Sequence, residues 1–218
     1  MLRPMATLFL VRHGLTAKTG RILYGQMPGV SLDERGAAQA EALVDRLAPV
    51  RLTAVYTSPL ERCVETVEPL AHARRLPLRT SDALIEMDAG SWTGKSLARL
   101  RRTRLWDEVQ SRPADFRFPQ GESFREAQRR AVAEVEAIAR RHRRGHVVIA
   151  THGDIVRILL THFEGAPLDR FQRSVIDTGS ISVVRLEGQG GVRVLLVNDT
   201  GGLGRFGSHS DRHPRGRT

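Results

Sequence analysis

One cysteine, Cys63, is all that the 218-residue chain contains. No disulfide can form within a single molecule, which fits a reducing compartment and makes the cytoplasm the expected location. Lysine is almost missing as well: Lys18 and Lys95 are the only two among 34 basic residues. Aromatic residues make up 5% of the chain, too few for the base stacking on which single-strand nucleic-acid readers depend. No apolar run approaches the roughly 20 residues that a bilayer-spanning helix needs. The apolar stretch Leu8 to Val11 is also too short for a signal-peptide core, and Arg12-His13 ends it. Internal repeats and low-complexity tracts are absent ahead of the C-terminal end.

What is present is arginine, and a formal net charge of +10. An Arg-rich, Ala-rich composition needs no functional explanation by itself. Read functionally, it favours anionic substrates. The last twenty residues, 199–218, carry four arginines and two aspartates in a Gly/Arg-rich context, so the rest of the chain keeps most of the charge, at +8. Residues 1–198 read as one folded domain, and 199–218 as a basic, disordered tail. A hydrophobic content of 40% over this length suits a single α/β core.

Three segments share one design. Thr7 to Val11 is a short apolar run followed by Arg12-His13-Gly14. Leu52 to Tyr56 is a β-leaning run followed by Thr57-Ser58-Pro59. Val147 to Ala150 is followed by Thr151-His152-Gly153-Asp154. Each reads as a buried strand that ends in a polar turn. Helical patterns lie between them. Asp33 is placed to cap a helix from Glu34 to about Leu47, and Ser58-Pro59 to open a second, with Ser as cap and Pro first in the helix. A long helix is expected from about Glu122 to Arg143, and another from Asp154. Ile181 to Leu186 and Val192 to Val197 read as strands joined by a glycine-rich hairpin at 188–191.

Strands alternating with helices predict an α/β fold: a three-layer α/β/α sandwich around a mostly parallel, doubly wound sheet. Ligands in such sheets bind beyond the carboxyl ends of the strands. That rule brings Arg12, His13, Arg62, His152 and Gly153 to one rim. Guanidinium groups hold phosphate oxygens in forked pairs. Backbone N–H groups opening the helix at Gly153 add to the anion cradle. A neutral histidine is a competent nucleophile, and a second can hold a charged transition-state oxygen. The leaving group needs a proton, for which Glu86 is the best candidate and Asp88 the backup.

These residues resemble the histidine phosphatase superfamily, also called phosphoglycerate mutase-like. The resemblance rests on ordered blocks: Leu10 to Gly14 with Thr16; Leu32-Asp33 with Gly36 and Gln39-Ala40; Thr57 to Cys63 with Thr66; Glu86 with Gly90, Trp92 and Gly94; Gly121-Glu122-Ser123; and Thr151-His152-Gly153. It implies that His13 is the phosphorylated nucleophile, that Arg12, Arg62 and His152 form the phosphate pocket, and that Glu86 donates the proton. It implies no metal and no other cofactor. Two positions depart from the common pattern. Leu15 stands where many members have Glu, and Thr19 where many have an Asn that touches the phosphate. Gln26 and the Thr19 hydroxyl are the candidates to replace that contact.

Competing readings are weaker. Cysteine-phosphatase chemistry at Cys63 wants an arginine shortly downstream, but Val64 to Pro69 contains none and includes Glu65 and Glu68. Cys63 therefore reads as a packed helix residue. Zinc at His13, His152 and Glu86 would be repelled by the adjacent arginines. The basic runs 99–104 and 140–144 read as solvated helical faces. The segment holding Trp92, Leu97, Leu105 and Trp106 reads equally as a lid over the site or as core. The expected function is hydrolysis of a small phosphorylated metabolite. A phosphomutase is the runner-up, disfavoured by the short segment after Glu86. A nucleic-acid or protein-binding module with an inactive site is the reading from another class. Neither a nucleic-acid nor a membrane partner is expected.

Overall fold

The computed structural model describes residues 4–188 and 191–201. Six strands form one sheet: β1 (Pro4–Arg12), β2 (Ala54–Thr57), β3 (Leu78–Thr80), β4 (Gly145–Thr151), β5 (Ile181–Glu187) and β6 (Val192–Asp199). Their order is β3-β2-β4-β1-β5-β6. The first four run parallel, while β5 and β6 are antiparallel additions at one edge. The expected α/β sandwich with a mostly parallel sheet is borne out.

Six α-helices accompany the sheet among the described residues: α1 (Glu34–Arg46), α2 (Glu61–Arg74), α3 (Leu97–Leu100), α4 (Arg104–Ser111), α5 (Phe124–Arg141) and α6 (Gly153–Phe163). Side chains alternate between the two faces of each strand. Leu8, Leu10, Tyr56, Val147 and Ile149 pack with Ala127, Val135 and Ile138 of α5 and Ile155 and Leu159 of α6. Phe9, Val11, Val55, Val148 and Ala150 pack with Leu43 of α1 and Cys63, Val67 and Leu70 of α2. The two cores make the three layers. Truncating a fully buried leucine in either one to alanine costs about 2–5 kcal/mol.

Local chemistry explains most boundaries and corrects some. Asp33 caps α1 as expected, its Oδ1 accepting from the Gly36 amide at 2.9 Å. Gly36 must be small, because a Cβ there would lie 2.1 Å from the Leu15 carbonyl oxygen. The start of α2 differs from expectation. The helix begins at Glu61 after Leu60, which provides no side-chain cap. Ser58 is not its cap because its hydroxyl is engaged by His152 at 2.8 Å. The long helix is shorter than expected. Ser123 and Glu126 form a capping box that starts α5 at Phe124 and leaves Glu122 outside. α6 starts at Gly153, one residue early. Strand β3 was not legible: it has three residues, none of them buried.

The presumed tail begins with ordered chain. Asp199 ends β6, and its carbonyl accepts from Arg46 Nη2 at 2.6 Å. The rest of the disordered-tail reading, and the centre of the expected hairpin, lie outside the described residues. No helix among those residues is long and apolar enough to cross a membrane.

Candidate active site

Sheet register assembles the site. Arg12 at the end of β1 is paired with Thr151 at the end of β4. The His13 amide then donates to the Thr151 carbonyl at 3.0 Å, and the Ser58 amide to the Ala150 carbonyl at 2.9 Å. Three strand ends thus release His13, Ser58 and His152 at one level. Arg62 follows in the first turn of α2, and Gly153 opens α6.

His13 is buried, and its Nδ1 lies 2.7 Å from the Gly14 carbonyl oxygen. A carbonyl only accepts, so this contact assigns the proton to Nδ1 and leaves the Nε2 lone pair free. Burial first, then the positive charge of Arg12, pull the pKa of His13 down to about 3. The imidazole is neutral at pH 7. Its ring centroid lies 5.4 Å from that of His152. His152 is fully buried and also held well below its ordinary pKa, by burial and then by Arg62. Its Nε2 sits 2.8 Å from Ser58 Oγ and 3.4 Å from Cys63 Sγ.

The two arginines are fastened from behind. Arg62 is completely buried; its Nη2 donates to the Gly25 carbonyl at 2.7 Å, and its Cζ lies 4.8 Å over the Tyr24 ring. Arg12 Nη1 donates to the Ile176 carbonyl at 2.6 Å. Each guanidinium keeps a buried Nε–H with no partner among the described residues. An unpaired buried donor costs about 1–3 kcal/mol, and more when charged. An anion accepting from both would recover that energy. Gly153 lies against Arg12; a Cβ there would sit 3.2 Å from Arg12 Nε.

Glu86 faces the same cleft, which has a volume of about 150 Å³ and is also lined by Arg12, His13, Thr19, Asp154 and Gly153. Burial and then the neighbouring Asp154 push its carboxyl up to about 7, against the opposing pull of the Met87 amide and of Arg62 and Arg12. A carboxyl group that titrates near neutrality can serve as acid and then as base.

The structure therefore brings His13, Arg12, Arg62, His152, Gly153 and Glu86 together, with Arg62 and His152 buried beneath the cleft. Thr19 lines the cleft, with its hydroxyl 3.0 Å from that of Thr16. Gln26 does not line the cleft. Its Nε2 donates to the Glu86 backbone carbonyl at 2.8 Å, so it braces the loop instead. Asp88 does not line the cleft; its carboxylate accepts from the Gly90 amide at 2.8 Å and closes a turn. The lid segment divides. Trp92 is buried and stacks on Trp106, while Leu97 lines the cleft and Leu105 is exposed. Cys63 is packed as read, but its contact with His152 was not foreseen; burial raises its thiol pKa and keeps it protonated. Among the described residues, no three His, Cys, Asp or Glu side chains gather as a metal-binding group.

Sequence reasoning also missed Ser58, Tyr24 and Asp154. Ser58 carried a signal as a residue following the second strand, and Asp154 as the acid following His152-Gly153 at the start of a helix; Tyr24 carried none.

A parallel-sheet rim carrying two buried imidazoles and two anchored arginines defines a cleft of the phosphate-handling class. The chain belongs to the histidine phosphatase superfamily (branch 1), whose family model matches residues 8–200. It is 30% identical over 207 residues to phosphoserine phosphatase 1 of Hydrogenobacter thermophilus, covering 93% of this chain and 96% of that protein. Among solved structures, YhfR of Bacillus stearothermophilus superposes with a TM-score of 0.82 at 31% identity, covering 88% of this chain and 96% of that one. The α-ribazole phosphatase of Shigella flexneri shares the fold, with a TM-score of 0.78 at 23% identity over 90% of this chain and 98% of that one.

Proposed function

We propose that the protein is a metal-independent phosphomonoester hydrolase acting on a small phosphorylated metabolite through a phosphohistidine at His13. One observation carries this reading. His13 is a neutral imidazole with its proton fixed at Nδ1, set beside two anchored arginines whose buried Nε–H groups lack partners among the described residues. That is a nucleophile beside an anion cradle.

In the first step the substrate phosphate accepts from Arg12, Arg62, His152 and the free N–H groups at the start of α6. His13 Nε2 forms a bond to phosphorus as the P–O ester bond breaks. Protonated Glu86 gives its proton to the departing oxygen. In the second step the Glu86 carboxylate takes a proton from water, whose oxygen attacks phosphorus. The P–N bond breaks, inorganic phosphate leaves, and His13 returns to neutrality with Glu86 protonated. A carboxyl pKa near 7 suits both halves of the cycle.

The names of related proteins, phosphoserine phosphatase and α-ribazole phosphatase, support hydrolysis of monoesters. The test is a phosphatase assay on a panel of monoesters with chelator present, comparing wild type with His13→Ala. Wild-type activity is expected to survive chelator, and the variant to lose at least about 10³-fold, as for removal of other covalent nucleophiles. Chelator-abolished activity, or turnover by the variant at wild-type rate, would overturn the proposal. Adding 3-phosphoglycerate with its bisphosphate primer to the same assay distinguishes hydrolysis from mutase turnover.

A further inference from the structure

Glu86 lies on a stretch of chain with little regular structure to hold it. A single 3₁₀ turn, Asp82–Leu84, precedes it, and residues 85–89 belong to no helix or strand. Proton transfer nevertheless demands placement: an error of about 1 Å at a reacting group costs roughly 10²-fold.

Arg130 of α5 supplies that placement. A guanidinium has five N–H donors in a rigid fork. All five are used here. Nη1 donates to the carbonyls of Ala83 at 2.9 Å and Ile85 at 2.8 Å. Nη2 donates to the Glu86 carbonyl at 3.1 Å and to Glu122 Oε2 at 2.8 Å, while Nε donates to Glu122 Oε1 at 2.7 Å. Glu122 completes the clamp, its own amide donating to the Asp88 carbonyl at 2.9 Å. The Arg130–Glu122 pair is largely shielded, with side-chain exposures of 22% and 14%. Arg130 does not line the cleft, and its bonds to Glu86 go to the backbone and not to the carboxyl group.

We infer that Arg130, held by Glu122, is a positioning residue that fixes residues 83–88 on α5 and so aims the Glu86 carboxyl at the leaving oxygen. The inference rests on the reading of Glu86 as the proton donor. Lysine keeps the charge but has neither the fork nor five donors, so Arg130→Lys isolates geometry from charge.

The assay compares kcat/KM for two esters. 4-Nitrophenyl phosphate releases a stable anion and needs no proton. Glycerol 1-phosphate releases an alkoxide and does. Glu86→Gln is expected to lose about 10²–10⁴-fold on the glycerol ester and far less on the aryl ester. Arg130→Lys is expected to show the same selectivity, with at least about a tenfold greater loss on the glycerol ester. Because it acts through Glu86, the double variant should lose no more than Glu86→Gln alone. If Arg130→Lys is poorly folded, Glu122→Gln carries the same readout. Equal losses on both esters, no loss at all, or additive losses in the double variant would overturn the inference. If Glu86→Gln itself shows no selectivity, the donor assignment fails instead, and the positioning role with it.

Discussion

Replacing Gly153 by alanine should make the protein less active and no more stable. Gly153 is the first residue of α6 and is not in the left-handed region, so alanine fits the backbone. Glycine in a helix is less favourable than alanine by up to about 1 kcal/mol. In open space that much would raise Tm by roughly 2–4 °C in a chain of this size. The added methyl, however, would sit 3.2 Å from Arg12 Nε and 3.3 Å from its Cζ. Such contacts require the guanidinium to give by a few tenths of an ångström. Arg12 has little freedom to do so, since its Nη1 is held by the Ile176 carbonyl at 2.6 Å, so the crowding should cancel the helix gain and leave Tm unchanged or lower. If about 1 Å costs roughly 10²-fold, a few tenths should cost roughly 3–10-fold in kcat/KM. The inhibition constant for inorganic phosphate should weaken in parallel, because the displaced group is the proposed anion ligand. Thermal melts, steady-state kinetics and phosphate inhibition of Gly153→Ala measure all three. Kinetics and phosphate inhibition both within twofold of wild type would refute the placement of Arg12 as a phosphate ligand.

Glu86 yields a prediction in pH. Its carboxyl is raised to about 7, so the acid form is present below that value and disappears above it; kcat/KM for alkyl esters should fall as pH rises through about 7. The same shift opposes folding at high pH. Stability from the buried neutral carboxyl is complete below the unfolded pKa of about 4.3 and is lost as pH rises through 7. Glu86→Gln should therefore gain on the order of 1–3 kcal/mol over wild type at pH 8 and nearly nothing at pH 4, read by denaturant titration. His13, held near pH 3, should contribute no acid limb to the free-enzyme rate profile above about pH 4. Ser58→Ala removes the 2.8 Å partner of His152 and should lower kcat/KM roughly tenfold, the kinetic equivalent of about one hydrogen bond. Gln26→Leu frees the Glu86 carbonyl from one side; it should slow alkyl esters while leaving phosphate inhibition unchanged, which separates a brace from a phosphate ligand.

The strand-end residues were legible because two rules act on them together. Buried parallel strands show as unbroken apolar runs, and the sheet places whatever follows each run at a common rim. Arg12, His13 and His152 follow directly from that logic, and Arg62 from one further helical turn. Gln26 was one of two candidates, with Thr19, to replace a missing asparagine contact. Its actual partner is a backbone carbonyl 60 positions away, a contact no local pattern encodes. Ser58 failed as a cap for a similar reason: a long-range bond to His152 competes with the local one to the helix. Strand β3 escaped because Leu78, Arg79 and Thr80 bury little and form an edge. Arg130 carries no local signal, and only the path of the Glu86 loop across α5 reveals its five partners.

The central claim is that His13 Nε2 becomes covalently phosphorylated during turnover. Glu86→Gln should accumulate this species, since aryl esters still load the histidine while water lacks its base. Mixing that variant with 4-nitrophenyl phosphate, quenching in alkali and mapping the peptides by mass spectrometry tests the claim directly. The account predicts one phosphoryl group on His13 and none on any peptide of His13→Ala. Phosphate on another residue, or a wild-type and Glu86→Gln enzyme that hydrolyses the ester with His13 never modified, would contradict it.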